Sequence, residues 1–290
     1  MKYIKPTLCI ICIFLFMEFF GHLALEAAST PKITVILSSG IRPYKEAFEG
    51  FKKNVAQDVD LYDYKSNPKL IEHILKNDDH DILVAMGPQA ARSIHSLHAS
   101  RSKKIYLMVL DPERFSENGT LCGVDLRIPP ETQLKEIRTH LGQGLKVGIL
   151  YNEAANMAVI KKFQKSAGKL SMELLGIPVK RPRDCIEALS RFRKEIDVLL
   201  FIPDPVVIKE ALVQYILKQC ILNGIMAVGY NHFFVENGAV LSLSVNYKET
   251  GALGAKILKG LREGRECALF PPPYTVEWNK KAWDTVKQRH

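Results

Sequence analysis

No GxSxG, HExxH or P-loop pattern occurs in the sequence. That removes the motif-bearing serine hydrolases, zinc metalloproteases and nucleotide-binding ATPases from consideration. Low-complexity and repetitive tracts are absent as well, which confines disorder to the ends. The apolar run "LCIICIFLFM" stops well short of the ~20 residues that a bilayer span needs, and no other segment could cross a membrane. Of the six cysteines, Cys9 and Cys12 fall within the apolar run at the N-terminus, and the other four are scattered without CxxC spacing, so neither a metal nor a cofactor is expected on them. His95 and His98 are three apart on a helix that reads as exposed, and His73, His80, His140 and His232 are scattered, so no metal site is expected there either. Lys and Arg exceed Asp and Glu by nine, yet there is no dense basic cluster. Stretches such as "KKFQKSAGK", "RFRKE" and "KILKGLREGR" read as solvated helix faces, and nucleic acid is not an expected partner.

What is present begins with a targeting segment over residues 1–29. Lys2 and Lys5 precede the apolar run, and "ALEAAST" supplies small residues for cleavage near Ala27-Ala28-Ser29. An uncleaved membrane anchor is the alternative. Cys9 follows "PTL" and lacks the small residue expected before a lipidated cysteine. The mature protein is therefore expected to be exported, either periplasmic or held at the outer face of the cytoplasmic membrane. Asn118-Gly119-Thr120 fits a glycosylation sequon, which has no consequence in bacterial export. The composition is 47% hydrophobic, enough for two globular units of ordinary size.

The two units share one plan. "ITVILSSGIRPYKEAFEGFKKNV" and "VGILYNEAANMAVIKKFQKSAGKL" each read as strand, polar loop and amphipathic helix. Each is followed by an extended segment, a helix and a short apolar strand that breaks at proline, "DILVAMGPQAARSI" and "DVLLFIPDPVVIKEAL", with a helix start expected after each break. Short continuous apolar strands separated by helices indicate an α/β fold with parallel sheets covered on both faces, here as two doubly wound lobes. The first comprises residues 30–125 plus 246–265, and the second 126–245 plus 266–290, with three crossings near 125, 245 and 266. "NYKETGALGAKILKGLREG" should be a helix that packs back on the first lobe, and "CALFPPPYTVEW" an extended tail. Cys122, Cys185, Cys220 and Cys267 read as buried apolar thiols. If one pair is bridged, Cys122 with Cys267 is the first choice, since both lie beside crossings. In open α/β sheets, ligands sit beyond the carboxyl ends of the strands, so two such edges facing across a hinge would form a cleft.

The ordered set "ILSSGIRPYKEAFEGFKK", "DILVAMGPQAA", "GVDLRIPPETQLKEI", "KVGILYNEAAN", "VLLFIPDPVV" and "GIMAVGYNHFFVENGAVLSLSVNYKETGALGAKILKG" resembles a family of exported solute-binding proteins that serve ABC-type importers. The family includes binders of aromatic amino acids. The resemblance runs from about Ile33 to Lys281. It implies the type I periplasmic-binding-protein fold, hinge closure on a small-molecule solute, an ABC permease in the inner membrane as partner, and a monomer without catalytic activity. The sequence departs from the family in "YNEAANMA", where Met157 stands near a customary serine, and in "PDPVV" and "GYNHFF". An amino acid, aromatic by preference, is the solute the resemblance favours.

The candidate ligand residues lie at the strand ends. Ser38 and Ser39 could bond a carboxylate or cap a helix. Gly87 permits close backbone approach, and the helix after Pro88 offers free N–H groups or is a plain strand-to-helix turn. Of Asn152 and Asn156, one caps a helix while the other is available to a solute. Asp204 caps its helix or pairs with a ligand ammonium. Tyr230 is the expected aromatic wall. Arg42 and Tyr44 follow the serine pair and are ligand contacts or solvated loop residues, while Asn246 and Tyr247 sit at a crossing. Other functions fit the same residues less well. A sensory receptor would hand its closed form to a signalling partner, a hydrolase or transferase lacks a nucleophile motif, and a DNA-binding regulator would need a helix-turn-helix where the export signal stands.

Overall fold

The computed structural model describes residues 31–77, 80–97, 102–116 and 120–289. The targeting segment with Cys9 and Cys12, His98, and Asn118-Gly119 of the sequon lie outside the described residues. Five strands come first: β1 (Ile33–Leu37), β2 (Asp60–Asp63), β3 (Ile82–Met86), β4 (Lys103–Val109) and β5 (Gly123–Asp125). Five more follow: β6 (Lys146–Tyr151), β7 (Glu173–Pro178), β8 (Val198–Leu200), β9 (Met226–Gly229) and β10 (Leu241–Val245). The tail adds β11 (Leu269–Phe270) and β12 (Tyr274–Trp278). β1, "ITVIL", and β3, "ILVAM", are buried at every position, as interior strands of a parallel sheet covered on both faces must be.

The helices cover those faces. In the first half they are α1 (Arg42–Lys53), α2 (Pro68–Asn77) and α3 (Pro88–His95). In the second they are α4 (Pro130–Leu141), α5 (Glu153–Lys169), α6 (Pro182–Phe192), α7 (Glu210–Leu222) and the short α8 (His232–Glu236), and α9 (Tyr247–Arg262) and α10 (Lys280–Lys287) follow. The strands form two six-stranded sheets in the orders β11-β5-β4-β3-β1-β2 and β12-β10-β9-β8-β6-β7. The shared order 2-1-3-4-5 is the doubly wound arrangement, and in each sheet a tail strand closes the far edge. β11 runs parallel to β5, whereas β12 is antiparallel to β10. Each sheet has a hydrophobic core on both faces.

α9 returns to the first lobe, as the sequence led us to expect. It lies so close to α1 that a Cβ on Gly50 would stand 1.9 Å from Lys248 O, and one on Gly251 would stand 1.7 Å from Ala47 O. Only glycine allows two helix backbones to meet at that distance.

The third crossing differs from the expected position near 266. β11 still pairs with β5, and Cys267 is bridged to Cys122 with their Cα atoms 4.7 Å apart. Residues 267–270 are thereby held on the edge of the first sheet, and the chain passes over only at Pro271-Pro272-Pro273. Cys185 and Cys220 remain buried thiols, so each reading of the cysteines holds for one pair. The second proline break also differs from the first. α3 starts directly at Pro88, but α7 starts only at Glu210. The Asp204 carboxylate accepts the backbone N–H of Val206 at 2.9 Å and of Val207 at 3.2 Å, which folds that stretch into a turn of its own.

Candidate functional site

The loops at the carboxyl ends of the strands are stapled by polar side chains. In the first lobe, Ser38 is buried at the end of β1, and its Oγ accepts the N–H groups of Gln89 and Ala90, both at 3.0 Å. Two of the donors that open α3 are therefore already satisfied from within the protein. Gly87 has φ 100°, and a Cβ there would lie 2.6 Å from Ser38 Oγ and 2.6 Å from the Tyr44 ring. Glycine is required by both conformation and space. Pro88 is exposed, Ser39 is half-buried, and the exposed Arg42 pairs with Glu46 at 2.6 Å on its own helix.

The second lobe uses a carboxylate for the same purpose. Asp204, 2% exposed, accepts from Asn152 N–H at 2.6 Å and Asn156 Nδ2 at 2.8 Å, in addition to its own turn. Asn152 caps α5 by accepting from Ala155 N–H, and donates from Nδ2 to Val179 O. Asn156 is buried and donates also to Pro203 O at 3.1 Å. The structure brings Asp204, Asn152 and Asn156 together as a strut across β6 and β8, with the amide donors of both asparagines engaged internally. Asn246 caps α9 through Glu249 N–H.

Between the two sheets lies a cavity of about 210 Å³. Leu110, Leu126 and Ile128 line it from the first lobe and its crossing. Pro203, Ile208 and Tyr230 line it from the second, and Leu243, Val245 and Tyr247 from the return crossing. Of the residues predicted to touch a ligand, Tyr230 lines this cavity; Asn246 stands between two lining residues. The Tyr230 ring is held by Phe234, 4.7 Å away between centroids, which rests on Phe201 at 4.9 Å. Gly229 leaves the room Phe234 needs, since a Cβ there would meet it at 2.1 Å.

Burial pushes the Tyr230 hydroxyl up to about 12, with the nearby Tyr247 and Asp204 adding to the effect. Burial also raises Tyr247, with Glu46 contributing, and raises Tyr44, with Tyr247 contributing. The three phenols are therefore neutral donors near this face at any physiological pH. The remaining lining residues are Arg127, Gln133 and Asn231. Sequence reasoning passed over all three. The signal the sequence carries for Arg127 is a lone arginine between apolar neighbours in "DLRIPP".

This arrangement is concave, largely apolar and made by both lobes, with hinge segments on its floor. It is the form of a small-molecule site. A family of proteins described as "ABC transporter substrate binding protein" matches residues 44–273 of the chain. No curated protein sequence matches it. Among solved structures, a substrate binding protein with adhesive properties from Clostridium difficile, in its ligand-free, open form, aligns with TM-score 0.73 and 17% identity over 89% of this chain and 95% of that one. An ABC domain from Streptococcus pneumonia in complex with L-Trp aligns with TM-score 0.58 and 15% identity, over 89% and 95%. An ABC transporter solute binding protein from Bacillus halodurans with bound myo-inositol aligns with TM-score 0.53 and 12% identity, over 90% and 99%. At these identities the likeness shows the fold.

Proposed function

The chain belongs to the family of ABC transporter substrate binding proteins, and from that premise we propose that it captures a small solute in the cavity between its lobes and hands it to an ABC permease in the inner membrane. The observation that carries this reading is the apolar cavity whose walls come from two separate sheets and whose floor is the return crossing at Val245 and Tyr247. A guest that touches both walls is bound more tightly when the lobes approach. Only such differential contact can shift an open–closed equilibrium. Binding, not bond making, is then the work of the protein, and a single copy suffices because one chain supplies both walls.

An amino acid, aromatic by preference, is the solute we favour. The two tyrosine rings and aliphatic walls suit a flat apolar group, and a relative of the same fold holds L-Trp. The site of action is outside the cytoplasm, in the periplasm or at the outer face of the cytoplasmic membrane. Among the described residues, no helix is long and apolar enough to cross a membrane. The test is thermal shift on protein expressed from the full chain, with amino acids, polyols, sugars and nucleosides at millimolar concentration. Stabilisation by one class, saturating with concentration, supports the proposal. A flat response across the whole panel refutes it.

A further inference from the structure

Two residues of the cavity lining each carry a buried polar atom that has no hydrogen-bond partner among the described residues: Arg127 Nη1 and Asn231 Oδ1. Buried polar groups are nearly always satisfied, so each such exception calls for a reason. The Arg127 side chain is 9% exposed. It is held by a fork on Asp111, with Nε to Oδ1 at 3.3 Å and Nη2 to Oδ2 at 3.0 Å. Asp111 meets that fork from a left-handed backbone conformation, φ 51°, which costs energy for a residue with a side chain. The guanidinium is thus fixed in orientation, and its third corner is left without an acceptor.

Asn231 presents the complementary case. It occupies the N-cap position of α8, where asparagine ordinarily accepts from the first turn. Here its side chain makes no cap hydrogen bond. Its backbone O accepts from Ser242 Oγ at 2.7 Å, while Oδ1 is buried without a donor. Gln133, the other amide in the lining, donates to Ile128 O at 2.7 Å.

The two groups are held from opposite sides of the cavity, Arg127 by its fork on Asp111 of the first lobe and Asn231 at the end of a strand of the second sheet. Arg127 follows β5 at the first crossing, and Asn231 follows β9 in the second sheet. We propose that Arg127 and Asn231 are the polar anchors of the cavity: Arg127 Nη1–H donates to a carboxylate of the solute, and Asn231 Oδ1 accepts from an amino or hydroxyl group of the same molecule, whose apolar body lies between them. The solute class is a small amino or hydroxy acid with an apolar side group. Sugars lack the carboxylate, and simple fatty acids lack the donor that Asn231 Oδ1 would accept from. One molecule that satisfies both atoms ties the lobes together, which couples recognition to closure. This rests on the solute-binding reading above and specifies its chemistry.

Titration calorimetry on protein from the full chain tests it with phenylalanine, leucine, their 2-hydroxy acid analogues and their primary amides. The wild type should bind at least one of the acids at least tenfold more tightly than the matching amide, the size expected of a charge-assisted hydrogen bond. Arg127→Met should erase that preference, and Asn231→Leu should weaken the acids by about tenfold. Circular dichroism checks folding, and Arg127→Lys, which keeps the charge but not the fork, replaces the Met variant if that one does not fold. Folded variants with wild-type affinity and preference overturn the inference. If none of these compounds binds but a polyol or nucleoside stabilises the protein, the inference falls and the solute-binding reading stands. If nothing in either panel acts, both fall.

Discussion

Alanine at position 251 should be among the most damaging single-methyl additions available in this protein. The ideal Cβ lies 1.7 Å from Ala47 O and 2.8 Å from Phe51 N, and ordinary contact begins at about 3.4 Å. α1 and α9 must therefore part by well over an ångström along a seam that buries Ala47, Phe51, Ala255 and Leu258. Overpacking against backbone costs about 2–4 kcal/mol. At roughly 2–4 °C per kcal/mol for a protein of this size, the melting temperature should fall by about 5–15 °C. The control is the same substitution on a different helix. Gly168 in α5 is exposed, and its Cβ would meet nothing within 4 Å. Gly168→Ala should therefore raise stability by about 0.5–1 kcal/mol through helix propensity alone. Differential scanning calorimetry on both variants reads the contrast. A Gly251→Ala protein that melts within 1 °C of wild type would refute the close approach of the two helices.

Other perturbations have equally definite signs. Burial pushes the Asp125 carboxyl up to about 6, with Glu113 and Asp111 adding to it and the backbone N–H and charge of Arg127 opposing. An acid raised in this way binds protons more readily folded than unfolded, so its contribution to stability declines as pH rises from about 4 to 6. Asp125→Asn keeps the acceptor for Arg127 N–H and should add about 1 kcal/mol at pH 7.5, after allowance for partial exposure, while flattening the acid side of the profile in urea titrations. His232 is raised chiefly by its hydrogen bond to Glu277, and Glu277 is lowered because Ser244 and His232 outweigh its burial. The first contribution is full below the ordinary histidine value and lost as pH climbs through the raised one. The second is full above the ordinary glutamate value and lost as pH falls through the lowered one. His232→Ala should therefore narrow the difference in melting temperature between pH 6 and pH 9, and an unchanged difference would count against the pair. Tyr230→Ala should weaken solute binding by about tenfold or more while Phe201 and Phe234 keep the fold, read as a loss of ligand-induced thermal shift.

Much of the scaffold could be read from the residues because burial on both faces writes itself into strands such as "ILVAM" without alternation. The duplicated order of elements made the two sheets expected. The tail resisted because "CALFPPPYTVEW" is extended throughout, and an extended segment carries no signal about which edge it will join. Its assignment depends on the partner β5 and on Cys122, both far away in sequence. Polar residues at strand ends were visible, but Ser38, Asn152, Asn156 and Asp204 are short side chains that satisfy backbone donors as readily as they would a solute. Sequence alone cannot say which partner lies nearer. Tyr230 was legible because a ring after a buried strand has few other uses. Arg127 and Asn231 were not, since what distinguishes them is a missing neighbour in a space enclosed by segments a hundred residues apart.

The bridge between Cys122 and Cys267 joins positions 145 residues apart and so makes a covalent ring of nearly the whole second lobe. In the chain-entropy picture, a loop that long denies the denatured chain about 5 kcal/mol of freedom. Both feet of the ring stand on one border of the first sheet, β5 and β11, so the second lobe can come apart and reassemble like a bead on a fastened cord. Of the described elements of the second lobe, β12 and α10 alone lie outside the ring, and they must find their berth without that tether.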